Sequence, residues 1–170
     1  MKYKLLLLGI IALMNVGCDK KDFHHEKVEL YLIESFVKSE DGHCKIDENT
    51  VVTKKSPLIG YSEIVSYDPE SYTFELSDNA VKKIKNMELS VHGIPFAIKV
   101  DNILIYTGYF WPSYSSASCD WVTINPVRTY GSNQLIVELG YPGHNEGDNI
   151  PDKRNDKRII DTFKQDHKLK

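Results

Sequence analysis

The chain has 170 residues, of which 41% are hydrophobic and 26% charged, and its formal net charge is −3. This length suits one domain of ordinary size. The mild acidity and the scattered lysines form no basic stripe, and they exclude nucleic acid as an expected partner.

The N-terminus has the pattern of a bacterial secretory signal. Lys2 and Lys4 form a basic start, residues 5–14 are an unbroken apolar run, and the small residue Gly17 precedes Cys18. The apolar run is about ten residues long, whereas a membrane-spanning helix needs about 20. We therefore expect residues 1–17 to be a signal peptide and not part of the fold.

The Gly17–Cys18 pair resembles a lipobox, in which the cysteine is acylated and the signal is removed before it. Asn15 stands where a lipobox usually has leucine, so the alternative is an ordinary signal peptide with an incidental cysteine. Two or three acyl chains anchor a protein stably. The sequence thus predicts a lipoprotein of the cell envelope, lipidated at Cys18, anchored to a membrane and facing the periplasm or the cell surface.

The rest of the chain divides by composition into three parts. Residues 18–26 are polar and predict a short tether, residues 27–140 contain most of the hydrophobic residues and predict a single α+β domain, and residues 141–170 predict a polar, largely flexible tail. Within that tail, Ile159, Ile160 and Phe163 can line one side of a short helix that begins near Pro151.

Alternating apolar and polar residues predict strands in the domain. The pair 51–52 is a short extended piece, and 61–65 is either a helical turn or a brief strand. Asp101–Asn102 is typical of a tight hairpin turn. The six longer predicted strands lie at 28–36, 72–76, 96–100, 103–110, 121–124 and 135–139.

One amphipathic helix is predicted at about 78–88. Ser77 is a suitable N-cap, and Ala80, Val81, Ile84 and Met87 fall on one face. The predicted fold is therefore α+β, with a mostly antiparallel sheet packed by this one main helix and a short C-terminal helix.

Residues 72–106 resemble the periplasmic head region of SecD, a subunit of the bacterial protein-export machine. The shared pattern is a strand with Phe74 and Leu76, a helix opened by Ser77 and Ala80, and a glycine-containing break. The apolar strand 96–100, the Asp101–Asn102 turn and a strand around Leu104 and Tyr106 follow. The resemblance implies a small α/β sandwich and hints at a place beside export components. It carries no function across, because SecD works through membrane helices.

Cys44 and Cys119 are the two cysteines outside the signal and lipobox. An even pair in an exported chain is a disulfide candidate, and closing a loop of about 75 residues would stabilise the fold by roughly 4 kcal/mol. The alternative is two separate buried thiols, because a disulfide requires the two backbones to approach closely.

The segment 110–121 has the composition of a protein-binding loop, with rigid aromatic residues among serines. Trp121 begins a strand and is expected in the core. For Trp111 and Tyr114, packing in the core and contact with a partner both stay open. The candidate binding residues are Phe110, Trp111, Tyr114, Ser115 and Ser116.

Patterns for catalysis or for a cofactor are not found. The serines lack a Gly-x-Ser-x-Gly or Ser-x-x-Lys context. His24–His25 beside Glu26, and His43–Cys44, invite a metal interpretation, but their spacings match no tetrahedral site. We therefore expect neither a cofactor nor a metal.

The leading hypothesis is a lipid-anchored, non-enzymatic envelope protein that binds another protein through the 110–120 loop and adjacent strand edges. The alternative is an inhibitor of a cell-wall-degrading enzyme or protease, a role common among small envelope lipoproteins. A hydrolase and a small-molecule binder are lesser hypotheses.

Overall fold

The computed structural model describes residues 26–144 and 149–170. The predicted signal peptide, the predicted lipidation site Cys18 and nearly all of the predicted tether lie outside the described residues. In the described part of the chain, no helix is both long and apolar enough to cross a membrane.

The described residues form a mixed eight-stranded sheet with three helices, which confirms an α+β fold. The strands are β1 Val28–Ser35, β2 Val52–Thr53, β3 Ile64–Asp68, β4 Thr73–Leu76, β5 Ile94–Val100, β6 Ile103–Phe110, β7 Cys119–Ile124 and β8 Gln134–Tyr141. The helices are α1 Asp78–Lys85, α2 Pro126–Ser132 and α3 Lys157–Gln165. The strand order is β2-β1-β5-β6-β7-β8-β4-β3, and the neighbours are antiparallel except for β6 and β7.

The β5–β6 hairpin is the longest local pairing, and its turn lies where the sequence predicts it. Asp101 and Asn102 both have positive φ angles, 48° and 67°. A two-residue turn of this kind matches the twist of the two strands, and aspartate and asparagine tolerate the left-handed conformation better than most residues. The turn places the far ends of both strands, Ile94 and Phe110, side by side.

The parallel pairing of β6 with β7 determines the course of the segment between them. The two strands pair over two residues each, Tyr109 with Thr123 and Phe110 with Ile124. The chain must therefore return over residues 111–118 to start β7 in the same direction as β6. Gly108 permits the close approach, since a Cβ atom there would lie 2.7 Å from the Val122 carbonyl oxygen.

The helices differ from the prediction of one main helix, which is not confirmed. Helix α1 begins at the predicted cap, where the Ser77 side chain accepts a hydrogen bond from the Ala80 amide, but it ends at Lys85. Helix α3 is one residue longer than α1 and also buries three residues. Helix α2 was not predicted, although Asn125 caps it and Pro126 stands at its start.

The sheet is strongly curled, and α3 packs inside the curl. Leu30 of β1 and Phe74 of β4 line one apolar space although their strands lie towards opposite ends of the strand order. Phe163 of α3 is fully buried, and its ring centroid lies 5.4 Å from that of Tyr67 and 6.0 Å from that of Phe74. The hydrophobic core therefore includes the C-terminal helix.

This packing differs from the expectation of a largely flexible tail over 141–170. Residues 168–170 add to the free edge of β3, because the Tyr67 amide donates to the Lys168 carbonyl at 2.8 Å and the Lys170 amide donates to the Tyr67 carbonyl at 2.9 Å. The few hydrophobic residues of the segment face one side of α3, so a low hydrophobic content still suffices to bury it.

Substitution of Phe163 tests whether the C-terminal segment belongs to the fold. Replacing a fully buried phenylalanine by alanine costs about 3–5 kcal/mol, so we expect Phe163→Ala to lower the free energy of unfolding by that amount in a urea titration. Lys164→Ala, at the exposed neighbouring position, is the control and should change it by less than about 0.5 kcal/mol. Equal, small effects of the two substitutions would contradict the packing.

Candidate functional site

The predicted binding loop is only partly at the surface. Phe110 and Ser115 are buried and Trp111 is 3% exposed, whereas Tyr114 is 60% exposed and Ser116 is also exposed. The structure thus places Trp111 in the core and leaves Tyr114 as the exposed aromatic residue of the loop. Trp121 is buried in β7, as expected.

Trp111 is held by a close contact with a glycine from another part of the chain. Gly93 has a positive φ of 77°, and a Cβ atom there would lie 2.6 Å from the Trp111 ring. The indole Nε1 donates a hydrogen bond to the Ala117 carbonyl at 3.2 Å. The ring therefore joins the loop to the turn that precedes β5.

The serine hydroxyl in the middle of the loop is used in loop structure. Ser115 Oγ donates to the Val91 carbonyl at 2.7 Å and accepts from the Ala117 amide at 3.2 Å. The Tyr141 hydroxyl donates to the Ser113 carbonyl at 2.8 Å. These partners are backbone groups, and none of them is a base that could activate Ser115 as a nucleophile.

A groove of about 670 Å³ runs beside this loop. Three chain segments form its walls: residues 36–44, residues 92–95 and residues 116–118. Its aromatic lining is Phe36, Tyr109 and Trp111, and the rings of Phe36 and Tyr109 meet edge to face at 6.2 Å, as those of Tyr109 and Trp111 do at 6.0 Å. Its size and its mixed aromatic and polar lining are those of a ligand or peptide site.

The groove lining includes one lysine and two histidines beside the thiol of Cys44 and the phenol of Tyr109. Lys38, His43 and His92 line it, and Lys38 Nζ donates to the His43 carbonyl at 3.1 Å. No carboxylate is among the lining residues that the structure describes. The groove therefore favours a ligand with negative charge or with hydrogen-bond acceptors.

Asp120 joins one wall of the groove to the sheet. Its two carboxylate oxygens accept hydrogen bonds from the His43 amide at 2.8 Å and from the Cys44 amide at 2.7 Å. Burial raises the pKa of this carboxyl group, but the two amide bonds outweigh burial, and the pKa lies below its usual value. Gly42 lets the chain pass closely, since a Cβ atom there would lie 3.0 Å from the carboxylate. We call this arrangement the Asp120 clamp.

The two predicted disulfide partners are brought together under the groove. Cys44 and Cys119 are both buried, free thiols, and each shifts the pKa of the other. Their interaction lowers the pKa of Cys44 and, together with burial, raises the pKa of Cys119. Cys44 also lines the groove.

The Tyr109 hydroxyl is buried and has no hydrogen-bond partner among the described residues. Burial, and then the nearby groups of Cys44 and Cys119, raise the pKa of this phenol. An unpaired buried hydroxyl costs free energy. Tyr67 is the contrasting case, because its hydroxyl lies 3.0 Å from the Arg154 carbonyl oxygen and 2.9 Å from the Asn155 side-chain oxygen.

A second cavity, of about 250 Å³, lies on another side of the sheet. Its lining includes Glu48 and Lys153, which form an ion pair at 2.6 Å, and Glu48 also accepts from the Thr107 amide at 3.1 Å. These charges are already paired with one another. The groove beside the loop, with its larger volume and with no carboxylate among its described lining residues, is the stronger candidate site.

Metal ligands do not cluster in the part of the chain that is described, where no group of three or more histidine, cysteine, aspartate or glutamate side chains could hold an ion. His43 and Cys44 lie in the groove, and His24–His25 lie outside the described residues.

No protein-family model, curated protein or solved structure shows a significant match to the chain. The SecD-like pattern at 72–106 therefore stays a prediction. Its elements follow one another in the structure as β4, α1, β5 and β6.

Sequence reasoning missed most of the groove. Phe36, His92 and Pro95 line it, but each lies in a different context along the chain and none stands near the serine-rich loop in sequence. A signal was present at Gly93, because a glycine before a strand often marks close backbone approach. The residue that it approaches could not be read from the sequence.

The pH dependence of stability tests the Asp120 clamp. Because the folded-state pKa of Asp120 lies below its usual value, the stabilisation is present above the unfolded pKa of about 3.9 and is lost as the pH falls through the lower folded pKa. We expect the free energy of unfolding to fall more steeply below about pH 4 in the wild type than in Asp120→Asn. Parallel pH profiles of the two proteins would contradict the clamp.

Two tyrosine substitutions test the unpaired hydroxyl. Tyr67→Phe removes a bonded hydroxyl and should lower the free energy of unfolding by about 1 kcal/mol, whereas Tyr109→Phe removes an unpaired one and should leave it unchanged or raise it. Urea titrations of both variants give the comparison. A loss in Tyr109→Phe as large as that in Tyr67→Phe would show that the hydroxyl has a partner.

Proposed function

We propose that this protein is a lipid-anchored, non-enzymatic protein of the bacterial cell envelope that binds another protein in the groove beside residues 111–118. The anchor part of the proposal rests on the basic start, the apolar run and Cys18. From Cys18 to the start of β1 at Val28 the chain can span roughly 30 Å when extended. The folded domain would therefore work close to the membrane surface.

The observation that supports the binding proposal is a set of exposed hydrophobic residues in or next to the chain segments that form the groove, which we call the groove rim. Val37 is 59% exposed, Val91 47% and Tyr114 60%, and each is adjacent or close in sequence to a residue that lines the groove. Isolated exposed hydrophobic side chains are ordinary. None of these three residues is itself in the groove lining, but their occurrence in or next to the segments that form one aromatic groove favours a surface that a partner covers.

Tyr114 is the expected main contact of this surface. Tyrosine offers a large and rigid contact area, and interface residues that contribute most to affinity are enriched in it. The backbone on both sides of Tyr114 is held, by the Tyr141 bond to Ser113 and by the bonds of Ser115. A preorganised loop loses less conformational entropy on binding.

The SecD-like unit is a further part of the proposal and suggests a partner among export or envelope components. The resemblance covers residues 72–106, which include β5, whose Pro95 lines the groove, and the first half of β6. If the captured partner is instead a cell-wall-degrading enzyme or a protease that loses activity in the complex, the protein is an inhibitor.

Crosslinking in the intact cell envelope tests the binding site. We expect the tagged full chain to capture one dominant envelope protein, identified by mass spectrometry, and Tyr114→Ala to reduce the captured amount by about tenfold or more, as loss of a main contact does. The matched control is Ile103→Ala, which removes a side chain that is 56% exposed at the opposite end of β6.

The two variants should have the same circular dichroism spectrum and unfolding midpoint as the wild type, because both side chains are exposed. Equal capture by Tyr114→Ala, Ile103→Ala and the wild type would contradict the assignment of the groove rim.

A further inference from the structure

The two buried cysteines lie under one wall of the groove. Cys44 belongs to the segment 37–47, and Cys119 is the first residue of β7. The residue after Cys119 is Asp120, whose carboxylate binds the amides of His43 and Cys44. The clamp therefore holds the backbone of Cys44 beside the start of β7, where Cys119 lies.

The position of the two cysteines in the fold favours a disulfide between them over two separate, unreactive thiols. Both side chains are at most 5% exposed, and the sequence separation of the pair is 75 residues, so their contact is built by the fold. Cys44 Sγ has a weak polar partner in the Ser118 carbonyl, at 4.0 Å. Cys44 is the one of the two thiols that lines the groove, and the neighbouring Cys119 lowers its pKa.

We infer that Cys44 and Cys119 are oxidised to a disulfide outside the cytoplasm, and that this bond fixes segment 37–47 as a wall of the binding groove. The second half of the inference rests on the proposed function. In the reaction, the Cys44 thiolate attacks the disulfide of an envelope thiol oxidoreductase, and Cys119 then displaces the enzyme from the mixed disulfide. One S–S bond forms in this protein, the oxidant takes up two electrons, and its two cysteines leave as thiols.

The bond would matter to the groove because the tip of this wall is held to the rest of the fold mainly through His43 and Cys44. The two arms of segment 37–47 pair with each other through an isolated bridge between residues 38 and 46 and two backbone hydrogen bonds beside it, and residues 39–43 lie in no regular strand. The Asp120 clamp and the bond would act on adjacent residues of this segment. The cross-link would keep Lys38 and His43 in place along the groove when the clamp opens.

Counting thiols in the exported protein tests the bond. Cells that express the full chain are acid-quenched, and the denatured protein is alkylated with and without prior reduction and weighed by mass spectrometry. We expect no alkylated cysteine without reduction and two after it, with Cys18 blocked by lipid. If Cys18 is unmodified, one alkylated cysteine without reduction and three after reduction would also support the bond. Two alkylated cysteines without reduction, mapped to Cys44 and Cys119, would overturn it.

The single variants provide the control for this count. Cys44→Ser and Cys119→Ser each leave one partner without the other, so each should show one more alkylated cysteine than the wild type without reduction. The count is made on this protein alone. Failure of the bond is therefore distinguishable from failure of the proposed partner binding, which only the Tyr114→Ala capture measures.

Hydrogen exchange tests whether the bond fixes the wall. The amides of His43 and Cys44 should exchange at least about tenfold faster in the reduced folded protein than in the oxidised protein, and the amide of Ile98 in the central strand β5 reports any global unfolding. Faster exchange at 43 and 44 with unchanged exchange at 98 supports the inference. Unchanged exchange at all three positions would overturn the part that concerns the groove.

Discussion

The candidate site depends on the two hydrogen bonds that the Asp120 carboxylate accepts from the backbone of His43 and Cys44. These bonds join two parts of the chain that are 76 residues apart, and they give the groove its second wall. The first wall is the return segment 111–118, which the parallel pairing of β6 and β7 requires. Charge-assisted bonds to a carboxylate are stronger than neutral ones, so a short polar segment can be held without a strand.

Local signals in the sequence predicted the elements that depend on local physics. The alternating pattern and the Asp101–Asn102 turn predicted the β5–β6 hairpin, and Ser77 predicted the start of α1. Helix α2 was missed although the cap at Asn125 was present, because its seven residues are too few for a periodic pattern. The packing of α3 was missed because Phe163 is buried by Tyr67 and Phe74, which are almost a hundred residues away.

The candidate site was predicted only in part, because a groove is made of segments that meet through the fold. Trp111 and Tyr114 share a serine-rich context, yet one is buried and the other exposed. The difference arises from Gly93, whose missing side chain leaves room for the Trp111 ring. Composition could identify the loop, but no periodicity in the sequence could assign the opposite wall to the segment that contains Cys44.

The most direct measurement of partner binding is photocrosslinking from a single position in living cells. A photoreactive amino acid at Ser116, an exposed residue of the groove lining, should form one discrete adduct with an envelope protein. The same amino acid at Ile103, exposed at the far end of β6, should form none. Adducts of equal yield from both positions, or none from Ser116 while the protein is folded and exported, would contradict the account that this groove binds a protein.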